Sequence, residues 1–206
     1  MLLALCNHSK AEPGDEDVLM AKVLYHVTMS LDGFIAARDD DMSWLRHLHG
    51  APNPIVAQVM ADIGALLIGH RTYHGGAGGA GAKTAQGKPY GGAIQVPMFV
   101  LTRDDPRTAV PGYTFIAGDV TEAVRAAAAT AGDRYVAVLG AATARHCLEA
   151  GILDEILVHL APVLLGSGTR LFDRPGGAPV GLELIEASQA GSITNLWLRV
   201  SPAEPA

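Results

Sequence analysis

The segment Val136-Ala-Val-Leu-Gly140-Ala-Ala-Thr-Ala-Arg-His-Cys-Leu-Glu-Ala-Gly151 constrains the fold more than any other part of the chain. A short apolar run ends in glycine, and a helix-forming stretch follows at once with no acidic residue in its first turn. That order predicts a strand over 135–139, a tight turn, and a helix over 141–150. The free N–H groups and positive dipole end at such a junction attract phosphate. Gly140 lacks a Cβ, so a ligand can come close to the backbone. Many α/β proteins have the same junction without a ligand, so the segment alone leaves both readings open.

The rest of the chain repeats the alternation. Lys22 to Ser30 is rich in strand formers and reads as a buried strand, after which Leu31-Asp-Gly-Phe-Ile-Ala36 turns away. Arg38-Asp-Asp-Asp41 is polar and looped. Asn53-Pro54 has the form of an N-cap followed by proline at the first helical position, opening a helix over Ile55 to Ile63. Strands follow at Ala65 to Ile68, Met98 to Leu101 and Tyr113 to Ile116, with a glycine- and alanine-rich loop from Gly75 to Gly92. Asp119 caps an alanine-rich helix over Val120 to Ala131. Asp154 to Pro162 is a strand, Val163 to Gly168 a turn region, and 180–188 with 193–200 a closing antiparallel pair across Ala190-Gly191. The expected fold class is α/β: three layers, α/β/α, around a central mixed sheet with a C-terminal antiparallel strand pair.

At 206 residues with 49% hydrophobic content, one domain over 21–202 is expected, with a disordered tail over 1–20 and Met20 as a rival start to Met1. No apolar run reaches 18 residues, and the first residues lack a basic region, which argues against export. A net charge of −6 argues against nucleic acid as a partner. Cys6 and Cys147 make no disulfide framework and fit a cytoplasmic location.

Three separated segments, Ser30-Leu-Asp-Gly-Phe-Ile-Ala36, Ile68-Gly-His-Arg-Thr-Tyr73 and Leu139-Gly-Ala-Ala-Thr-Ala144, resemble dihydrofolate reductase-like proteins in the same order. Leu153-Asp-Glu-Ile-Leu-Val-His-Leu-Ala-Pro-Val-Leu-Leu-Gly166, followed by Arg170-Leu-Phe172, is similar to the C-terminal reductase domain of riboflavin-biosynthesis deaminase/reductases. The resemblance spans about 22–200 and implies an NADPH-dependent reductase, with hydride going to a pterin, pyrimidine or flavin-precursor-like heterocycle. Apolar residues read as exposed over Val158 to Leu165 and Leu196 to Val200 suggest pairing with a second subunit, and the resemblance also implies a homodimer. Gly69, His70, Arg71 and Thr72 correspond to one phosphate turn, with Arg71 placed to fork onto a 2′-phosphate. Thr102 and Arg103 lie on the adenosine side. Gly140, Ala141, Ala142 and Thr143 form the second phosphate turn, where Ala141 replaces the family's second glycine.

On the acceptor side the resemblance points to Ser30, Asp32 and Trp44 as catalytic candidates. Blander readings stand beside these: Arg71 paired with a surface acid, Thr72 as a cap, Arg103 solvated, Asp32-Gly33 as a turn pair, Trp44 as core. Dihydrofolate reductases carry an acid at the start of the next helix; here that position falls near His49 or Asn53, neither a carboxylate. His47 and His49 make a weak metal pair, so no metal is expected. His159 reads as a hydrogen-bonded core histidine. One alternative keeps the fold for a non-catalytic nucleotide- or small-molecule-binding protein. Another places a flavin or deazaflavin in the same cleft. The dehydrogenase motifs of the short-chain class are absent.

Overall fold

The computed structural model describes residues 21–48, 52–74, 89–103 and 111–201. The expected tail, most of the loop from Gly75, His49 and Cys6 lie outside these residues. Eight strands form one sheet in the order β5-β4-β3-β6-β1-β7-β10-β9. They are β1 (Val23–Ser30), β3 (Ile63–Gly69), β4 (Met98–Thr102), β5 (Tyr113–Ala117), β6 (Tyr135–Leu139), β7 (Glu155–Ala161), β9 (Leu182–Ala190) and β10 (Ile193–Val200). Strands β5 to β7 along that order run parallel, and β10 is antiparallel to both β7 and β9. Parallel strands buried on both faces need apolar side chains throughout, as β3 shows: all but its last residue is buried.

Helices cover both faces. Helix α3 (Val120–Ala131) places Ala123, Ala127 and Ala131 at helical spacing against the sheet, and all three are buried. Asp119 caps it, accepting from the Glu122 N–H at 2.9 Å. Helix α4 (Ala141–Glu149) shares that core, with Cys147 fully buried and its thiol pushed up to about 12 by burial. Helix α1 (Pro54–Asp62) covers the opposite face, burying Ile55 and Val59 against Leu24, Leu157 and Trp197. Helix α2 (His70–His74) is a short turn after β3.

The structure corrects three local expectations. Asn53 makes no side-chain cap on α1, because its amide is drawn into a pair with Asn195. Val158, read as exposed, is core, whereas Leu164 beyond it is exposed. The segment after β1 forms β2 (Phe34–Ala36), which pairs with β8 (Thr169–Arg170) in a separate ribbon.

Candidate functional site

Strands β3 and β6 are parallel neighbours with Ile68 opposite Leu139, so their terminal glycines stand side by side. Each opens a Gly-X-X-Thr turn, Gly69 to Thr72 and Gly140 to Thr143. The turns interlock. A Cβ on Gly69 would stand 2.5 Å from Thr143 Oγ1, and one on Gly140 would collide with Thr72 Oγ1. Gly140 also holds φ at 108°, in the region that favours glycine. Both glycines are therefore required by packing as well as by any ligand. Neither α2 nor α4 has an acid in its first turn, and Gly140 supplies no side-chain cap to α4. Uncapped N–H groups, a positive dipole end and bare backbone suit the pyrophosphate of a dinucleotide.

The other expected cofactor residues are distributed around this pair. Thr102 is buried at the end of β4, next to β3, and Arg103 follows it exposed. Ala141 is half-buried and Ala142 exposed. His70 is exposed and stacks on His74 at 4.3 Å between ring centres. Arg71 does not join Arg103. Its Nε lies 3.5 Å from Asp40 Oδ2 and its Nη2 donates to Thr169 Oγ1 at 3.2 Å, so it reaches toward the β2–β8 ribbon. Both members of that ion pair are well exposed, and such pairs are weak.

Of the expected acceptor-side residues, Ser30 and Asp32 are brought together and bond to each other. Ser30 is fully buried; its hydroxyl donates to Asp32 Oδ1 at 2.6 Å and accepts from the Phe34 N–H at 2.9 Å. Asp32 also accepts from the Leu165 and Gly166 N–H groups, the latter at 2.7 Å. These bonds, the Ser30 hydroxyl first, lower its carboxyl to about 2. Asp32 is thus ionised at neutral pH and clamps the β1 exit loop to the β7 exit loop. Trp44 lies half-buried in a 3-10 turn (Ser43–Leu48), with its indole N–H buried and without a hydrogen-bond partner among the described residues.

A polar chain that the sequence reading did not assemble lies on the α1 face. His26 Nδ1 meets the Tyr90 hydroxyl at 2.8 Å and His26 Nε2 meets His159 Nε2 at 2.6 Å. His159 Nδ1 meets Asn195 Oδ1 at 2.7 Å, and Asn195 exchanges amide bonds with Asn53 and donates to Ser188. Burial holds His26 down at about 3, with His159 adding to the effect, and burial lowers His159 too. Strand alternation alone hinted at this, because His26 and His159 share a face with Leu24 and Leu157.

Residues 21–194 match the RibD C-terminal domain family. The chain belongs to that family. Solved structures agree on the fold. A Shewanella sp. PV-4 protein named for riboflavin biosynthesis matches with a TM-score of 0.68 at 21% identity, covering 87% of this chain and 99% of that one. A Thermotoga maritima diaminohydroxyphosphoribosylaminopyrimidine deaminase/5-amino-6-(5-phosphoribosylamino)uracil reductase gives 0.62 at 15% identity, covering 88% of this chain and 57% of that longer one. Riboflavin biosynthesis reductase Rib7 of Saccharomyces cerevisiae gives 0.53 at 18% identity, covering 90% and 91%. No curated protein matches the chain in sequence.

Proposed function

We propose that the protein is an NADPH-dependent reductase that passes hydride to a heterocycle of the pterin, pyrimidine or flavin-precursor type, an aminouracil first among them. The observation that carries this is the interlocked pair of Gly-X-X-Thr turns at the ends of β3 and β6, in a chain of the RibD C-terminal domain family. Ligands in open α/β sheets sit beyond the carboxyl ends of the strands, where these turns lie. When bound, NADPH supplies the hydride. The backbone of Gly69 to Thr72 and Gly140 to Thr143 would hold its pyrophosphate, and Thr102 and Arg103 would line the adenosine side. Arg71 would turn from Asp40 to a phosphate, gaining a charge-assisted fork in place of an exposed ion pair. Asp32 and Ser30 fix the loop that borders the cleft, and Trp44 follows them with a buried indole N–H that has no partner among the described residues.

Calorimetry with NADPH and NADH, on wild type and Arg71→Ala, tests this. NADPH should bind more tightly than NADH, and the variant should lose roughly 1–3 kcal/mol, the worth of a charged hydrogen bond. If neither nucleotide binds, the cofactor assignment falls. NADPH oxidation with 5-amino-6-(5-phosphoribosylamino)uracil, and separately with dihydrofolate, then addresses the acceptor.

A homodimer is part of this reading. Edge strand β9 exposes Leu182, Leu184 and Ile185 at 48%, 61% and 40%, and an exposed apolar edge invites a second copy. Sedimentation of Leu184→Glu should shift a dimer toward monomer. No described helix is long and apolar enough to cross a membrane; with the acidic net charge, a cytoplasmic protein that does not bind nucleic acid is the accompanying proposal.

A further inference from the structure

Three side chains from three separate segments close a ring at the first Gly-X-X-Thr turn. Arg71 comes from α2, Asp40 from the 3-10 turn after β2, and Thr169 from β8. Arg71 Nε stands 3.5 Å from Asp40 Oδ2, and Arg71 Nη2 donates to Thr169 Oγ1 at 3.2 Å. The Thr169 hydroxyl donates in turn to Asp40 Oδ1 at 3.1 Å. The Asp40 carboxylate thus takes the place at the guanidinium that an incoming anion would need, with a hydroxyl donor beside it.

Both ends of the ion pair are built in. Asp40 holds φ at 55° and Asp39 before it at 58°, left-handed backbone that aspartate tolerates. The Ala37 N–H donates to the Asp41 carbonyl at 2.9 Å, and Arg38 Nε donates to Ser167 Oγ at 2.9 Å, which ties this turn to the β7 exit loop. Helix α2 is held from rolling, because Thr72 Oγ1 fills the space where Gly140 lacks a Cβ. Arg71 therefore leaves Asp40 by turning its own side chain, which is 70% exposed and meets no packed resistance. An open hollow of about 370 Å³, lined by Arg38, Asp40, Ser167 and Thr169 among others, borders the ring and admits small anions to it.

We propose that Asp40 is a positioning residue for Arg71, an internal anion that a cofactor phosphate must displace, and that it thereby limits how strongly the site prefers NADPH over NADH. A phosphate monoester carries close to two charges and can meet a guanidinium with two oxygens, so the 2′-phosphate outcompetes one exposed carboxylate. The 2′-hydroxyl of NADH carries no charge and leaves Arg71 on Asp40. Binding NADPH thus breaks the ion pair, and binding NADH does not. This inference rests on the reductase reading, since it names what regulates the cofactor side of that cleft.

The test is calorimetry with NADPH and NADH on the full chain and its variants. Asp40→Asn removes the charge and keeps a residue that accepts left-handed backbone. It should tighten NADPH by about threefold, the worth of an exposed ion pair, and leave NADH unchanged. Asp39→Asn, the same charge change one residue away, should leave both nucleotides as in wild type. In an Arg71→Ala background, Asp40→Asn should have no effect. The NMR signal of the Arg71 Nε–H should move when wild type binds NADPH and stay in place with NADH. Equal NADPH affinity in wild type and Asp40→Asn overturns the proposal. So does tightening of both nucleotides alike, a gain that survives Arg71→Ala, or an Arg71 signal that NADPH does not move. If NADPH binds and Arg71→Ala weakens it while Asp40→Asn is silent, this inference alone falls. If NADPH binds no form of the chain, the reductase reading falls and takes the inference with it.

Discussion

Strand β7 carries two buried polar clusters on one face, four residues apart, and they are built on opposite plans. Glu155 is 3% exposed and ionic, accepting from Lys22 at 2.8 Å, the Tyr135 hydroxyl at 2.9 Å and the Trp197 indole at 2.8 Å. His159 is equally buried but belongs to a neutral chain. Leu157, fully buried, separates them. Glu155 lies at the start of the strand, away from the glycine turns; His159 lies toward the end that faces them. A buried carboxylate is tolerable when donors replace its lost hydration, and three do so here. That arrangement is saturated, so it anchors β1, β6, β7 and β10 and offers nothing to a ligand. The neutral chain costs less to bury, because no charge loses its hydration.

The largest effect should come from the ionic cluster. Glu155→Ala leaves Tyr135 and Trp197 without their acceptor and should cost about 3 kcal/mol in urea unfolding. A loss no larger than a surface substitution would break the contrast. His159→Ala should cost less, about 2 kcal/mol, because it strands neutral groups and opens a cavity. The pH dependence separates the clusters further. Both histidines have lowered folded values against about 6.5 unfolded, so the unfolded chain takes up protons first as pH falls. Their contribution is complete above pH ~6.5 and is lost below it, at up to ~1.4 kcal/mol per pH unit per histidine. Asp32, also lowered, acts only below its ordinary range, toward about 2. Denaturant midpoints at pH 7 and 5 should therefore draw apart in wild type and converge in a His26→Gln, His159→Gln double variant. The smallest effect belongs to Tyr25, on the other face of β1, whose buried hydroxyl has no partner among the described residues. Tyr25→Phe should be neutral or stabilising by up to about 1 kcal/mol. A loss of that size would show that Tyr25 has a partner, as the groups at 155 and 159 do.

Sequence reading was strongest where local chemistry and fold agree. The Asp119 cap, the α3 alanine face and the strands of the sheet follow from periodicity and turn residues that sit next to one another in the chain. It failed where a distant partner competed: Asn53 has every local mark of an N-cap, yet Asn195, 142 residues away, takes its amide. The N–H groups of Leu165 and Gly166 that meet the Asp32 carboxylate lie 133 and 134 residues away, and no local spacing announced them. Tyr90 fell within a glycine-rich stretch that read only as loop, and no spacing connects it to His26 or His159.

What the sequence determined by itself is the alternation of elements, the two Gly-X-X-Thr turns and the family to which they belong, because each depends on residues within a few positions of one another. The tertiary structure alone decided that the turns interlock, each glycine against the other's threonine. It also decided that His26, His159, Asn195, Asn53 and Tyr90 share one hydrogen-bonded chain. Strand order and register set those pairings, and register is fixed by burial of the whole sheet rather than by any local signal.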